Sequence, residues 1–123
     1  MTFGWKDFLT VANDFSKKDL GEAYNRTGIS RAYYAAYHVA ADYANEKNLT
    51  QKVDVSGNPL GTHEQVWRGL QSSSDTQIRV AGSLGSSLKG TRVKADYRKI
   101  PVSFSCLKNA CSQAKKIIES IEK

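Results

Sequence analysis

Apolar and polar residues alternate with the period of an α-helix along most of this chain. The clearest signal is near the C-terminus, where apolar residues are separated by four, three, four and three positions between Leu107 and Ile121. Such spacing predicts a helix with one buried face. The same spacing predicts a first helix from Trp5 to Phe15. No segment alternates with a period of two, so we expect no sheet.

The segment SRAYYAAYHVAADYA, from Ser30 to Ala44, predicts a central helix that runs to about Asn48. It contains six Ala, four Tyr and no Gly or Pro. Ala is the best helix former and allows a neighbouring helix to approach closely, while Tyr supplies buried area. If the helix runs through from residue 20, Arg31 is an interior residue that we expect to pair with an acid.

The ends of the other helices are marked by capping residues. Asp19 with Glu22, and Thr62 with Gln65, match the capping-box pattern at the starts of the second and third helices. The run Ser72-Ser73-Ser74-Asp75 is expected to cap the fourth helix, and Pro101 suits the start of the fifth. Residues 49–61 lack periodicity and predict a mobile loop. The predicted fold is an all-α, up-and-down bundle of about five helices, one domain over residues 1–123.

The fourth predicted helix contains three glycines, Gly82, Gly85 and Gly90. Each costs roughly 1 kcal/mol relative to Ala inside a helix. The helix either breaks there or uses its glycines to admit a close neighbour, such as the Ala ridge of the central helix. We favour the second interpretation.

Composition favours a cytoplasmic globular protein. Of its 123 residues, 40% are hydrophobic and 24% charged, with a net charge of +6. No apolar run is long enough to span a bilayer, and the N-terminus does not resemble a signal peptide, so no membrane association is expected. Cys106 and Cys111 are predicted to be small core residues of a reduced protein. No Cys/His spacing predicts a metal site, and no cofactor motif occurs.

The highest density of cations lies in KGTRVKADYRK, from Lys89 to Lys99. Such a cluster can contact phosphates. Alternatively, cations near a helix C-terminus are favoured by the helix dipole without any ligand. Arg92 and Asp96 lie four residues apart and can pair; if buried, the pair fixes Arg92 in one orientation. The candidate nucleic-acid-binding residues are Lys89, Arg92, Lys94, Arg98 and Lys99.

His38 and His63 are the two histidines and therefore the two side chains that ordinarily titrate near neutral pH. His38 is interpreted as a structural residue satisfied by a neighbouring Tyr or Asp. His63 falls in the first turn of the third helix, where it is either an idle surface residue or a neutral base.

Three segments together resemble the HEPN superfamily, and in particular its small stand-alone prokaryotic members. They are SRAYYAAYHVA on a long second helix, a His at the start of a third, and LKGTRVKADY at the end of a fourth. The resemblance implies a helical bundle that forms homodimers. It also implies, for many members, a metal-independent ribonuclease of a toxin–antitoxin or anti-phage system, encoded beside a nucleotidyltransferase-like partner.

The active site of the family resembles Arg-x4–6-His at the dimer interface. Here Arg92 is present, but Tyr97 stands five residues on and no His follows it. Tyr, with an ordinary pKa near ~10, is a poor base at neutral pH. The resemblance therefore implies that Arg92 neutralises phosphate and Tyr97 orients it. His63 is then the proton carrier, provided that the third helix packs beside Arg92.

Two functions remain open. The first is a HEPN-like dimer that binds RNA or a nucleotide, with or without ribonuclease activity. The second is a non-catalytic helical adaptor that binds a partner protein and in which the group Arg92, Asp96 and Tyr97 anchors the central helix. The candidate structural network consists of Arg31, Tyr34, His38 and Asp96.

Overall fold

The computed structural model describes residues 2–123, which form five α-helices and no β-strand. Buried side chains from all five helices make one hydrophobic core, which confirms the predicted all-α bundle. None of the helices within these residues combines the length and the apolar composition needed to cross a bilayer. The helices are α1 (Asp7–Phe15), α2 (Glu22–Glu46), α3 (Thr62–Gln71), α4 (Thr76–Tyr97) and α5 (Phe104–Ile121).

Helix α2 is the central element, because each of the other four helices packs against it. Its small residues Ala32, Ala36 and Ala40 are completely buried. Gly28 continues this small surface: a Cβ placed on it would lie 2.5 Å from Cδ1 of Leu107 in α5. Helix α2 therefore runs without interruption through Gly28, and the missing side chain lets α5 come close.

Helix α4 is also continuous, but Gly82 and Gly85 face a different neighbour from the one expected. A Cβ on Gly82 would lie 2.8 Å from the Trp67 carbonyl oxygen, and one on Gly85 would lie 2.1 Å from the Trp67 ring. The close partner of α4 is thus α3 rather than the Ala ridge of α2. The large indole of Trp67 fills the space that the glycines leave.

Both predicted capping boxes are wrong. The N-caps of α2 and α3 are Gly21 and Gly61, and neither helix start is capped by a side chain. The Asp19 carboxylate accepts a hydrogen bond from the Gly21 N–H, and Gln65 donates its side-chain N–H to the Leu60 carbonyl. Each polar group therefore fixes the turn before the helix instead of the helix itself.

The starts of α4 and α5 follow ordinary capping. Asp75 accepts a hydrogen bond from the Gln77 N–H, as predicted. Helix α5 begins at Phe104, after Pro101, because Ser103 is its cap and accepts from the Cys106 N–H. The proline lies in the approach to the helix rather than in its first turn.

The predicted burial of both cysteines is half right. Cys111 is buried, whereas Cys106 is exposed near the start of α5, and both are free thiols. The helical period explains the difference, because five residues rotate the second cysteine to another side of the rod.

The first residues of the connection between α2 and α3 pack against α3. A Cβ on Gly69 would lie 2.0 Å from the Leu49 carbonyl oxygen, and the Gln51 N–H donates to the Gln65 carbonyl. Val53 and Pro59 form an isolated bridge. The mobility of this loop stays a prediction.

Candidate functional site

The Arg92 guanidinium is held between aromatic rings where α4 meets α2. Arg92 is only 7% exposed. Its Cζ lies 5.2 Å from the centroid of the Tyr33 ring and 5.3 Å from that of Tyr34. A guanidinium over a tyrosine face is attracted by the ring electrons, and the attraction grows as water is excluded. We call Arg92, Asp96, Tyr33, Tyr34 and His63 the Arg92 cluster.

Few of the polar atoms of Arg92 are satisfied. Nη1 lies 3.5 Å from Oδ2 of Asp96, a carboxylate oxygen that also accepts from the Ser30 hydroxyl at 3.3 Å. Nε is buried and has no hydrogen-bond partner within residues 2–123. Nη2 also has no hydrogen-bond partner within these residues. Arg92 is therefore a mostly buried cation, and most of its N–H donors have no partner within residues 2–123.

His63 joins the cluster through Tyr33. Its Nδ1 lies 2.6 Å from the Tyr33 hydroxyl oxygen, which also accepts a hydrogen bond from Trp67 Nε1 at 3.0 Å. The imidazole stacks on the Tyr37 ring with a centroid separation of 4.0 Å. Since α3 packs beside α4, the structure brings His63 and Arg92 to the same tyrosine from two helices.

The environment of His63 favours its neutral form. Partial burial lowers its pKa below the ordinary 6.5, and the positive charges of Arg92 and Lys89 lower it further. Lys89 is itself paired with Glu64, at 3.4 Å between Nζ and Oε1. His63 is thus an uncharged imidazole at neutral pH, next to two cations.

His38 and Arg31 both lie beside Tyr34 of the cluster, and their partners differ from those expected. His38 stacks on Trp5 with a centroid separation of 3.7 Å and makes no hydrogen bond within residues 2–123. Arg31 has no acidic partner there either: its guanidinium lies 4.7 Å from the centroid of Phe8 and donates to the Ser30 hydroxyl. Burial lowers the pKa of His38, and Asp42 opposes that shift.

The remaining predicted residues lie toward the end of α4. Tyr97 is 74% exposed, and the centroid of its ring is 5.9 Å from Arg92 Cζ. Arg98 and Lys99 line a separate open pocket of about 600 Å³, which they share with Asp96. Lys94 is exposed. Of the five predicted phosphate contacts, Lys89 and Arg92 are near His63, whereas Arg98 and Lys99 line the pocket next to Asp96 and Tyr97.

Arg26 is the important residue that the sequence did not reveal. Its guanidinium donates to the carbonyls of Ala95 at 2.8 Å and Arg98 at 2.7 Å, and it pairs with Glu22 at 2.9 Å. A cation at this position satisfies carbonyls that the end of α4 leaves free. The one local signal is the four-residue spacing from Glu22, which by itself indicates only a surface pair.

Residues 2–123 contain no group of three or more His, Cys, Asp or Glu side chains placed to hold a metal ion. In comparisons with protein-family models, curated proteins and solved structures, no match to this chain was found.

Proposed function

We propose that this chain is a HEPN-like domain that binds an RNA or nucleotide phosphate at the Arg92 cluster. The observation that supports this proposal is that Arg92 and His63 contact the same residue, Tyr33. The resemblance to the HEPN superfamily calls for a histidine beside the arginine, and Tyr97 occupies the expected position. In this chain the histidine near Arg92 is His63, which belongs to helix α3 and not to the segment that follows Arg92.

The donors of the cluster suit a phosphate group. Arg92 Nη2 has no hydrogen-bond partner within residues 2–123, and the imidazole of His63 is only partly buried. Phosphate oxygens accept such hydrogen bonds, which are strengthened when donor and acceptor carry opposite charge. Exposed Tyr97 adds a ring face on which a base can stack. Binding by these groups requires no metal ion.

The test measures binding and cleavage of a fluorescent single-stranded RNA of mixed sequence by purified protein in a metal chelator. Arg92→Gln removes the guanidinium charge and most of its donors, and His63→Gln removes the imidazole. We expect Arg92→Gln to weaken binding about tenfold or more, since a hydrogen bond to a charged group contributes ~1.5–3 kcal/mol. Wild-type affinity should also fall as salt rises.

Lys116→Gln is the matched control, because it removes a positive charge without touching the cluster. Lys116 lies in α5 beside Gln77, near the start of α4. Gln77 is fifteen residues before Arg92, roughly 22 Å along the helix axis. Equal losses for Lys116→Gln and Arg92→Gln would mean that only net charge matters. Absence of RNA binding by folded wild type would refute the proposal.

The homodimer and the defence role complete this proposal and are tested separately. We expect a molar mass of two chains in light scattering after size exclusion. Expression of the chain alone should slow growth of a bacterial host, and Arg92→Gln should relieve this effect. A monomer at all concentrations, or growth equal to that of an empty-vector strain, would contradict these two elements.

The burial of Arg92 favours a second candidate function, a non-catalytic adaptor. The Arg92–Asp96 pair ties α4 to α2 through the Ser30 hydroxyl, as a purely structural network would. Under this alternative, wild type binds no RNA and Arg92→Gln lowers the free energy of unfolding. Circular dichroism in urea, measured beside the binding assay, distinguishes the two candidates.

A further inference from the structure

We propose that Tyr33 is a positioning residue that holds His63 in the tautomer with the proton on Nε2. The Arg92 cluster then presents an N–H donor to an oxyanion and has no base at that position. This inference rests on the proposed function only for the identity of the anion. The tautomer itself is a property of the chain without ligand.

The argument begins with the hydrogen-bond count at the Tyr33 hydroxyl. Trp67 Nε1 is only a donor, so the Tyr33 oxygen must accept from it at 3.0 Å. The hydroxyl proton then needs an acceptor, and His63 Nδ1, 2.6 Å away, is the acceptor that the surroundings provide. A neutral imidazole that accepts at Nδ1 carries its proton on Nε2.

The opposite tautomer leaves a group unsatisfied. With the proton on Nδ1, Tyr33 would accept two hydrogen bonds and have nowhere to donate its own proton. Tyr33 is completely buried, so that unsatisfied donor would cost about 1–3 kcal/mol. The Nε2–H tautomer satisfies all three groups.

Both side chains keep the protonation states that this arrangement needs. Burial raises the pKa of Tyr33 well above its ordinary value, so the hydroxyl keeps its proton. Burial and the charge of Arg92 lower the pKa of His63, so the imidazole is neutral at physiological pH.

The tautomer determines the class of ligand. Nε2 is the ring nitrogen that does not bond Tyr33, and His63 is only partly buried; with a proton on Nε2 this atom donates and does not accept. The positive charges of Arg92 and Lys89 also act on the His63 ring. Donors and positive charge together fit an oxyanion such as a phosphate, whereas proton abstraction from a ribose hydroxyl would require a free lone pair on Nε2.

The test is a long-range proton–nitrogen NMR correlation of the full chain labelled with nitrogen-15, at a pH where both histidines are neutral. The His38→Gln variant contains one histidine, so all of its imidazole signals come from His63. We expect one tautomer, with Nε2 protonated and Nδ1 accepting a hydrogen bond. A proton found on Nδ1 of His63 would overturn the inference. This measurement is made with Tyr33 in place, so it does not depend on how a Tyr33 variant folds.

Two further variants separate positioning from packing. Tyr33→Phe removes the hydroxyl that bonds Nδ1, and Tyr37→Phe removes one from the other tyrosine that stacks on the same imidazole. We expect Tyr33→Phe to lose the single-tautomer pattern and Tyr37→Phe to keep it. An unchanged pattern in folded Tyr33→Phe would overturn the positioning role.

Titration with inorganic phosphate tests the ligand class on the same sample. We expect the Nε2–H signal of His63 to shift, and the shift to disappear in Arg92→Gln. If His63 has its proton on Nε2 but its signal does not shift with phosphate, the oxyanion site and the proposed function are refuted. The role of Tyr33 is then still supported. If the protein binds RNA and His63 has its proton on Nδ1, the role of Tyr33 is refuted and the proposed function is supported.

Discussion

Gly85 of α4 lies directly against the indole of Trp67 in α3, so that a Cβ on Gly85 would be 2.1 Å from the ring. Both residues are buried, and the ring has no flexible end that could move aside. We therefore expect Gly85→Ala to lower the free energy of unfolding by about 1–3 kcal/mol through overpacking, despite the better helix propensity of Ala. Urea denaturation measures this change.

Gly90→Ala is the matched control in the same helix. Gly90 is exposed, and a Cβ there would meet no atom within 4 Å. Without a steric cost, Ala should raise the free energy of unfolding by up to ~1 kcal/mol. Similar effects of the two substitutions would show that the contact of α3 with α4 is wrong.

Arg26 should contribute more to stability than an ordinary surface arginine. Its guanidinium donates to the carbonyls of Ala95 and Arg98, which accept no other hydrogen bond within residues 2–123, so Arg26→Ala should cost roughly 1–3 kcal/mol. Arg68→Ala removes only an exposed pair with Glu64 and should cost no more than about 0.5 kcal/mol. Urea denaturation of both variants checks the difference, and equal losses would contradict the capping role.

Stability should fall when the pH falls below about 6.5, in part because of His63. The pKa of His63 is lower in the folded chain than in the unfolded chain, so the unfolded chain binds the proton more tightly and acid favours unfolding. We expect His63→Gln to reduce the difference in unfolding free energy between about pH 7.5 and about pH 5.5. Denaturant titrations at the two values measure it.

His38→Gln serves as the comparison for that experiment. Burial lowers the pKa of His38 as well, although Asp42 opposes that shift. We therefore expect His38→Gln also to reduce the change in unfolding free energy with pH. A wild-type stability that does not change over this interval would contradict both assignments.

The two thiols should react at different rates with a water-soluble disulfide reagent. Cys106 is exposed, whereas Cys111 is buried and burial raises the pKa of its thiol. Because the thiolate is the reactive form, we expect one thiol to react in the folded chain and two in denaturant. Cys106→Ser should abolish the reaction of the folded chain, and continued reaction would contradict the placement of Cys111.

The sequence predicted the helices well, because apolar periodicity is a local property. The spacing from Leu107 to Ile121 and the Ala content of the central segment were sufficient to place α5 and α2. The cap at Asp75 was equally local and is confirmed. The boxes predicted at Asp19 and Thr62 failed because a turn before the helix used the same polar groups.

The site could be predicted only in part, because its geometry depends on contacts between distant segments. Arg92, Asp96 and His63 were candidates by residue type, but nothing local indicates that Tyr33 connects α3 with α4. The carbonyls held by Arg26 are about seventy residues away in sequence. The stack of Trp5 on His38 likewise joins segments that no periodicity relates.

The different settings of the two tryptophans make the chain its own optical reporter. Trp67 is completely buried beside Tyr33, whereas Trp5 is 37% exposed and covers His38. A dissolved quencher therefore reduces the emission of Trp5 in the folded chain, and it reduces the emission of Trp67 only after the bundle unfolds. Fluorescence alone can distinguish release of the N-terminal segment from global unfolding, without any added dye.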